Sequence, residues 1–282
     1  MDKKLKLAVI GSPISHSKSP EIHQDFANQF DVKIEFRKDE VKPDSLETWL
    51  ADFFKDGGKG ASITLPLKEV ALNFADEISN RARVASSCNV IYAKDKRLFA
   101  DCTDGFGLTK DLEENLKVLL KDKKILILGA GGAARGIIPS IIEKKPAKLK
   151  VANRTESKAL LLKEDLEGKV GLKEKNTIFE AGGLSDDFLL DDSYDLVINS
   201  TSISTQAGES IGLPKALFTG TKLAYDLFYS AEKTAFMQEA LAGGAQKVSD
   251  GWGMLVEQGA ESFRLWTNLI PDTSRLLEKP ID

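Results

Sequence analysis

Residues 123–135, Lys-Lys-Ile-Leu-Ile-Leu-Gly-Ala-Gly-Gly-Ala-Ala-Arg, restrict the fold of this chain more than any other stretch. An apolar run from Ile125 to Leu128 reads as a buried strand. It meets Gly129-x-Gly131-x-x-Ala134 and then a helical run through Ile141. A glycine pattern alone says little, but between a strand and a helix it fits the turn that holds a dinucleotide. Gly129 allows the tight turn, Gly131 lets the backbone approach a pyrophosphate, and the small Ala134 lets helix and strand pack closely. The helix start then offers unpaired amides and a positive dipole end to phosphate.

A second strand, Leu149 to Asn153, ends where an NAD enzyme would carry an acid for the ribose 2′-hydroxyl. Here the chain reads Asn153-Arg154-Thr155, with Lys158 one helical turn beyond Arg154. A guanidinium forms a charge-assisted fork with a 2′-phosphate, which a carboxylate would repel. Thr155 is a natural N-cap. The bland alternative is a pair of solvated charges at a helix start. The glycine turn upstream favours NADP, while Glu156, the nearest acid, leaves NAD open.

The 282 residues suggest about two domains. Composition is that of an ordinary globular protein, 42% hydrophobic and 29% charged. With 39 basic against 43 acidic residues, there is no basic footprint for nucleic acid or anionic membrane. No apolar run approaches the length of a membrane helix, and Met1-Asp-Lys-Lys before a short strand reads against a secretory signal. Cys88 and Cys102 lack metal-type spacing and read as reduced thiols in a cytoplasmic protein. The only two histidines, His16 and His23, argue against a histidine-rich metal site, and no metal is expected.

Strand and helix patterns alternate throughout, which predicts a parallel α/β architecture in two domains. Strands are expected near 5–10, 33–38, 60–64, 88–93 and 97–101, with helices near 18–30, 43–55 and 68–83. Asp104 opens an amphipathic stretch to about Leu120, read as a connecting helix. Further strands are expected near 124–129, 149–153, 176–180, 195–199 and 222–226, then helices over 231–243 and 252–269. The expected division is a substrate domain over 1–104, completed by about 244–282, and a Rossmann-type domain over 105–243. The last long helix is expected to pack back on the first domain.

The first domain carries three polar motifs. Gly11-Ser-Pro-Ile-Ser-His16-Ser17-Lys-Ser19-Pro20 follows the first strand, and Ser17 and Ser19 are spaced to face one small anion near a helix start. Ordinary turn and cap chemistry is the competing explanation. His16 has no evident orienting acid and reads as structural. Thr64-Leu-Pro66-Leu-Lys68 ends a strand, and Lys68 falls on the edge where open α/β sheets bind ligands. Asp101-Cys-Thr103-Asp104-Gly105 likewise follows a strand and opens a helix, where Asp104 has the bland role of N-cap. Spacing alone does not pair Lys68 with Asp104.

These motifs, in this order, resemble the shikimate dehydrogenase family over essentially the whole chain. The resemblance continues through Asn89, Asn199-x-Thr201-Ser202, Tyr225-Asp226-Leu227-Phe-Tyr229, Asp250-Gly251-x-Gly253-Met254-Leu255, Gln258 and Trp266. It implies reversible reduction of 3-dehydroshikimate to shikimate with NADPH, by a protein that is a monomer or homodimer. By this resemblance Lys68 and Asp104 form the catalytic pair in the cleft between the domains. Ser17 and Ser19 hold the substrate carboxylate, with Tyr229 nearby, while Thr64, Lys68, Asn89, Asp104 and Gln258 contact the rest of the substrate. The cofactor site comprises Gly129, Ala130, Gly131, Gly132, Ala133, Ala134, Asn153, Arg154, Thr155, Lys158, Thr201, Leu227, Gly251 and Met254. The last two are expected beside the nicotinamide.

The chain departs from the family at Ser62 and Cys102, where Asn is usual, at Val90 after Asn89, and at Ile203-Ser204, where Gly-Met is usual. These changes bear on substrate affinity more than on reaction type. For Lys68, burial should lower the pKa and Asp104 should raise it. A charged lysine acting as the acid in the reductive direction is the expectation. Rival expectations are an NAD-preferring quinate/shikimate dehydrogenase, a methylenetetrahydrofolate dehydrogenase, and a nucleotide-binding regulator without turnover.

Overall fold

The computed structural model describes residues 4–203 and 212–278, so Ser204 lies outside it. The chain divides into two compact units, Met1–Leu108 with Leu255–Asp282, and Thr109–Met254.

The first unit is built on strands β1 (Leu5–Gly11), β2 (Ile34–Glu40), β3 (Gly58–Ile63), β4 (Glu77–Ile78), β5 (Val90–Lys94) and β6 (Arg97–Asp101), in the spatial order β2-β1-β3-β5-β6-β4. Within the expected α/β architecture this sheet has one reversed strand, because β5 runs antiparallel to both β3 and β6. Asp95 and Lys96, with φ of 51° and 63°, make a two-residue turn with both central residues left-handed, and such a hairpin can only be antiparallel.

Helices α1 (Ser19–Asn28), α2 (Leu46–Lys55) and α3 (Asn80–Ala85) cover this sheet. The helix expected over 68–83 is instead a short 3-10 turn, Val70–Phe74, then β4 and α3. Glu77 and Ile78 pair with Phe99 and Ala100, and the Ser79 hydroxyl accepts from the Ala82 amide to start α3. Helix α4 (Asp104–Lys110) passes into a wider turn over Asp111–Asn115 and stops well before Leu120. There Lys117 turns left-handed (φ 59°), and the Leu116 and Val118 amides close back on the Asp111 and Leu112 carbonyls.

In the second unit, strands β7 (Lys124–Leu128), β8 (Lys148–Ala152), β9 (Ile178–Gly182), β10 (Leu196–Asn199), β11 (Leu223–Asp226) and β12 (Val248–Ser249) form a fully parallel sheet. The order β12-β11-β10-β7-β8-β9 puts the reversal of strand order between β7 and β10. Helices α5 (Gly132–Glu143), α6 (Glu156–Val170), α7 (Leu172–Lys175), α8 (Asp186–Leu190) and α9 (Ala235–Ala242) connect the strands. Continuous burial of Ile125 to Leu128 and Leu196 to Ile198 follows from having both sheet faces covered.

Helix α10 (Trp252–Thr267) leaves the second unit at Met254 and joins the first, followed by α11 (Ser274–Glu278). Phe263 and Trp266 bury themselves in the first unit with Phe26, Phe36 and His23. No described helix is long and apolar enough to cross a membrane.

Candidate active site

Four loops of the first unit meet at one edge of its sheet. The loops after β1 and β3 are tied by the Ser12 amide, which donates to the Leu65 carbonyl at 2.9 Å. Because β5 is antiparallel, its beginning rather than its end reaches this edge, and the Asn89 carbonyl accepts from the Ile63 amide at 2.7 Å. The loop after β6 supplies Thr103 and Asp104.

Lys68 and Asp104 are brought together there. Lys68 Nζ donates to Asp104 Oδ2 at 2.5 Å, and their side chains are 13% and 5% exposed. Burial pulls the Lys68 ammonium down, but the charge and hydrogen bond of Asp104 outweigh it and its pKa lies above the ordinary value. Asp104 Oδ1 accepts from Asn89 Nδ2 at 2.9 Å. The same nitrogen lies 2.8 Å from Thr103 Oγ1 and 2.9 Å from Gln258 Oε1. Asn89 Oδ1 accepts from the Thr103 amide at 2.7 Å, which fixes the amide's orientation. Helix α10 thus delivers Gln258 to the group from a distant part of the chain. Cys88 and Cys102 are buried and are not joined in a disulfide, and burial pushes the Cys88 thiol up to about 12.

Ser17 and Ser19 are buried at the start of α1, with hydroxyl oxygens 3.2 Å apart, and the Ser19 amide donates to Ser17 Oγ at 3.3 Å. Thr64 is half-buried just past β3, next to Gly11. His16 is exposed in the β1–α1 loop. Ser62 and Val90 face each other in β3 and β5. Tyr229 belongs to the second unit, past β11, where its ring packs edge-on to Trp252 at 6.1 Å.

In the second unit the remaining residues lie at the carboxyl edge of the sheet, around the switch between β7 and β10. Gly129 has φ 106°, and a Cβ there would meet Ser200 Oγ at 2.7 Å, so only glycine suits the turn. Gly131 is the N-cap of α5 with no side-chain cap, and the space where its Cβ would stand is empty to 4 Å. The amides of Gly132, Ala133 and the buried Ala134 are therefore presented to an open cradle beside Ala130. These residues fit a pyrophosphate. Past β8, Asn153 Nδ2 donates to the Thr155 carbonyl at 2.8 Å, and Thr155 caps α6 by position but not through its hydroxyl. Arg154 and Lys158 are exposed, and among the described residues neither forms an ion pair.

Thr201 Oγ1 donates to Asn199 Oδ1 at 2.7 Å, and Asn199 Nδ2 donates to Asp226 at 3.0 Å. The Leu227 amide donates to the Asn199 carbonyl. Gly251 lies so close to Leu227 that a Cβ would stand 2.2 Å from its carbonyl oxygen. Reasoning from sequence missed a buried anchor beside this segment. Tyr225 Oη donates to Asp111 Oδ2 at 2.8 Å and accepts from the Met254 amide at 3.3 Å. Its sequence signals were an acid in an amphipathic stretch and a tyrosine that the family motif contains without a role assigned to it.

The match to known proteins spans both units. Residues 9–91 match the shikimate dehydrogenase substrate-binding domain, 111–207 the shikimate/quinate 5-dehydrogenase domain, and 251–278 the shikimate 5'-dehydrogenase C-terminal domain. The chain is 43% identical to the shikimate dehydrogenase (NADP(+)) of Hahella chejuensis over 96% of both chains. It is also 43% identical to that of Legionella pneumophila over 97% of both. A Thermus thermophilus shikimate 5-dehydrogenase solved with NADP(H) and shikimate superposes with a TM-score of 0.84, at 32% identity over 97% of both chains. The chain belongs to the shikimate dehydrogenase family.

Proposed function

We infer that the protein is an NADP-dependent shikimate dehydrogenase, which reversibly reduces 3-dehydroshikimate to shikimate in aromatic amino acid biosynthesis. The observation that carries this reading is the Lys68–Asp104 hydrogen bond at the ligand-binding edge of the first sheet, in a chain with full-length family relatives.

Bound NADPH supplies the hydride. The Gly129–Ala134 turn holds its pyrophosphate, Arg154 and Lys158 its 2′-phosphate, and Asn153, Thr155, Thr201, Leu227, Gly251 and Met254 the rest of the cofactor site. Ser17 and Ser19 accommodate the substrate carboxylate, with Tyr229 as a further contact. Thr64, Asn89, Asp104 and Gln258 receive its hydroxyls. A ketone that accepts hydride develops negative charge on oxygen, and a positioned ammonium both stabilises that charge and donates the proton. Lys68 takes this part, and Asp104 keeps it charged and oriented. We place the protein in the cytoplasm, where thiols such as those of Cys88 and Cys102, not joined in a disulfide, stay reduced.

The test is turnover of shikimate, quinate and 3-dehydroshikimate, each with NADP(H) and NAD(H). NADP-linked oxidation of shikimate well above every other oxidative pairing supports the reading. Preference for quinate with NAD contradicts it, as does cofactor binding without turnover.

A further inference from the structure

Arg81, on α3, bridges two buried carboxylates. Its Nε and Nη2 donate to the two oxygens of Asp101 at 2.6 and 2.9 Å, and Nη2 also donates to Glu261 Oε1 at 2.8 Å. The Asp101 and Glu261 side chains are only 8% and 7% exposed. Asp101 ends β6, three residues before Asp104. Glu261 lies on α10, three residues after Gln258 and on the same helical face. The guanidinium therefore joins the strand end that carries Thr103 and Asp104 to the helix that carries Gln258.

Other contacts fix each end of the bridge. Asp101 Oδ1 also accepts from Ser79 Oγ at 2.6 Å and from the Cys102 amide at 2.7 Å. Glu261 is forked by Arg264 at 2.6 and 2.8 Å, but Arg264 lies on the same helix and, among the described residues, makes no hydrogen bond to β6. Burial would raise the Glu261 carboxyl. The hydrogen bonds from Arg264 and Arg81 outweigh it and keep it below the ordinary range, hence ionised. Without Arg81, two buried anions would face each other with no cation between them.

We propose that Arg81 is a positioning residue for substrate recognition, setting the distance between Gln258 and the Asn89–Asp104 group by binding Asp101 and Glu261 at once. This rests on the assignment of Gln258 and Asn89 to substrate hydroxyls. The arrangement predicts an effect on substrate affinity, separate from cofactor affinity and from the concentration of folded enzyme.

The experiment compares Arg81→Met with Arg264→Met, which removes the same charge from the same carboxylate without cutting the bridge. In Arg81→Met, KM for shikimate rises about tenfold or more while KM for NADP stays within about twofold. In Arg264→Met both stay near wild type. If Arg81→Met does not fold, Arg81→Lys, which keeps the charge but cannot fork both carboxylates, shows the same split. Crystal structures of the two variants supply a readout independent of turnover. The contact between Asn89 Nδ2 and Gln258 Oε1, 2.9 Å in the native chain, lengthens past hydrogen-bond range only when the bridge is cut. An unchanged contact or an unchanged shikimate KM in the bridge variant overturns the proposal, as do equal effects in both variants. Failure of wild type to oxidise shikimate would instead strike the functional reading, and the two crystal structures would still decide the positioning.

Discussion

Lys68 donates a 2.5 Å hydrogen bond to Asp104, which stands 36 residues further along the chain. Neither residue reaches the other through local structure. Strand β3 ends at Ile63, five residues before Lys68, β6 ends at Asp101, three before Asp104, and the inverted β5 between them places Asn89 against Asp104. The pair raises the Lys68 pKa above 10.5 despite burial. A raised lysine pKa means a protonated acid throughout the neutral range, and the proton is lost only as pH climbs past that value. Reduction of the ketone should therefore be nearly flat over about pH 7 to 9, while shikimate oxidation, which needs the amine, should rise with pH. Initial rates in both directions across that range check this. A reductive rate that already falls there would show that Lys68 is not held charged.

Ser17 and Ser19 should act on substrate affinity. Their hydroxyls lie 3.2 Å apart in a buried loop, so one anion can accept from both. Hydrogen bonds to a charged group are worth about 1.5–3 kcal/mol each. The double change to Ala should raise KM for shikimate by about a hundredfold or more and leave KM for NADP unaltered. An unchanged shikimate KM in the folded variant would remove the serines from the site.

Arg154 should decide coenzyme choice. It is exposed past β8, beside Lys158 and without an ion-pair partner among the described residues. Arg154→Ala should weaken NADP binding, leave NAD use nearly unchanged, and lose less as ionic strength rises and screens the contact. Equal losses for both coenzymes would mean that Arg154 supports the adenosine rather than its phosphate.

The second unit was largely legible in the sequence, because the Gly129 turn, the buried strands and the Asn153-Arg154-Thr155 segment each declare themselves locally. The first unit was less so. Nothing in Lys94-Asp95-Lys96-Arg97 follows the usual glycine rule for a tight hairpin, so the reversal of β5 went unseen, and with it the way Asn89 reaches the site. The segment 68–83 has helical periodicity, but two of its residues find a better partner in β6. The helix from Asp104 ends early where Lys117 turns left-handed, and Asp111 within its last turn is held by Tyr225, a contact distant in sequence. Gln258, Arg81 and Glu261 meet only through tertiary packing. The Lys68–Asp104 pairing was accessible only through family resemblance.

His23 should make the protein acid-sensitive. It is 1% exposed, stacked on Phe36 at 5.0 Å, and burial lowers its pKa to about 3. Below about pH 6.5 the unfolded chain binds a proton that the folded chain refuses, so stability falls as pH falls toward 3. By about pH 4 this one group should cost about 3 kcal/mol, at 1.36 kcal/mol for each unit of the separation. Urea unfolding of wild type and His23→Phe at about pH 7 and pH 4 isolates it. The variant should lose less stability on acidification, and an equal loss in both would show that His23 is protonated in the fold.

The most direct measurement is the turnover of Lys68→Ala with 3-dehydroshikimate and NADPH, alongside NADPH binding by the same protein. A positioned acid contributes about 10²–10⁴-fold. The account predicts a loss of that size in kcat, with a folded protein and an unchanged Kd for NADPH, because the cofactor residues lie in the other unit. Turnover near that of wild type would contradict the assignment of Lys68 as the proton donor and with it the reading of this site.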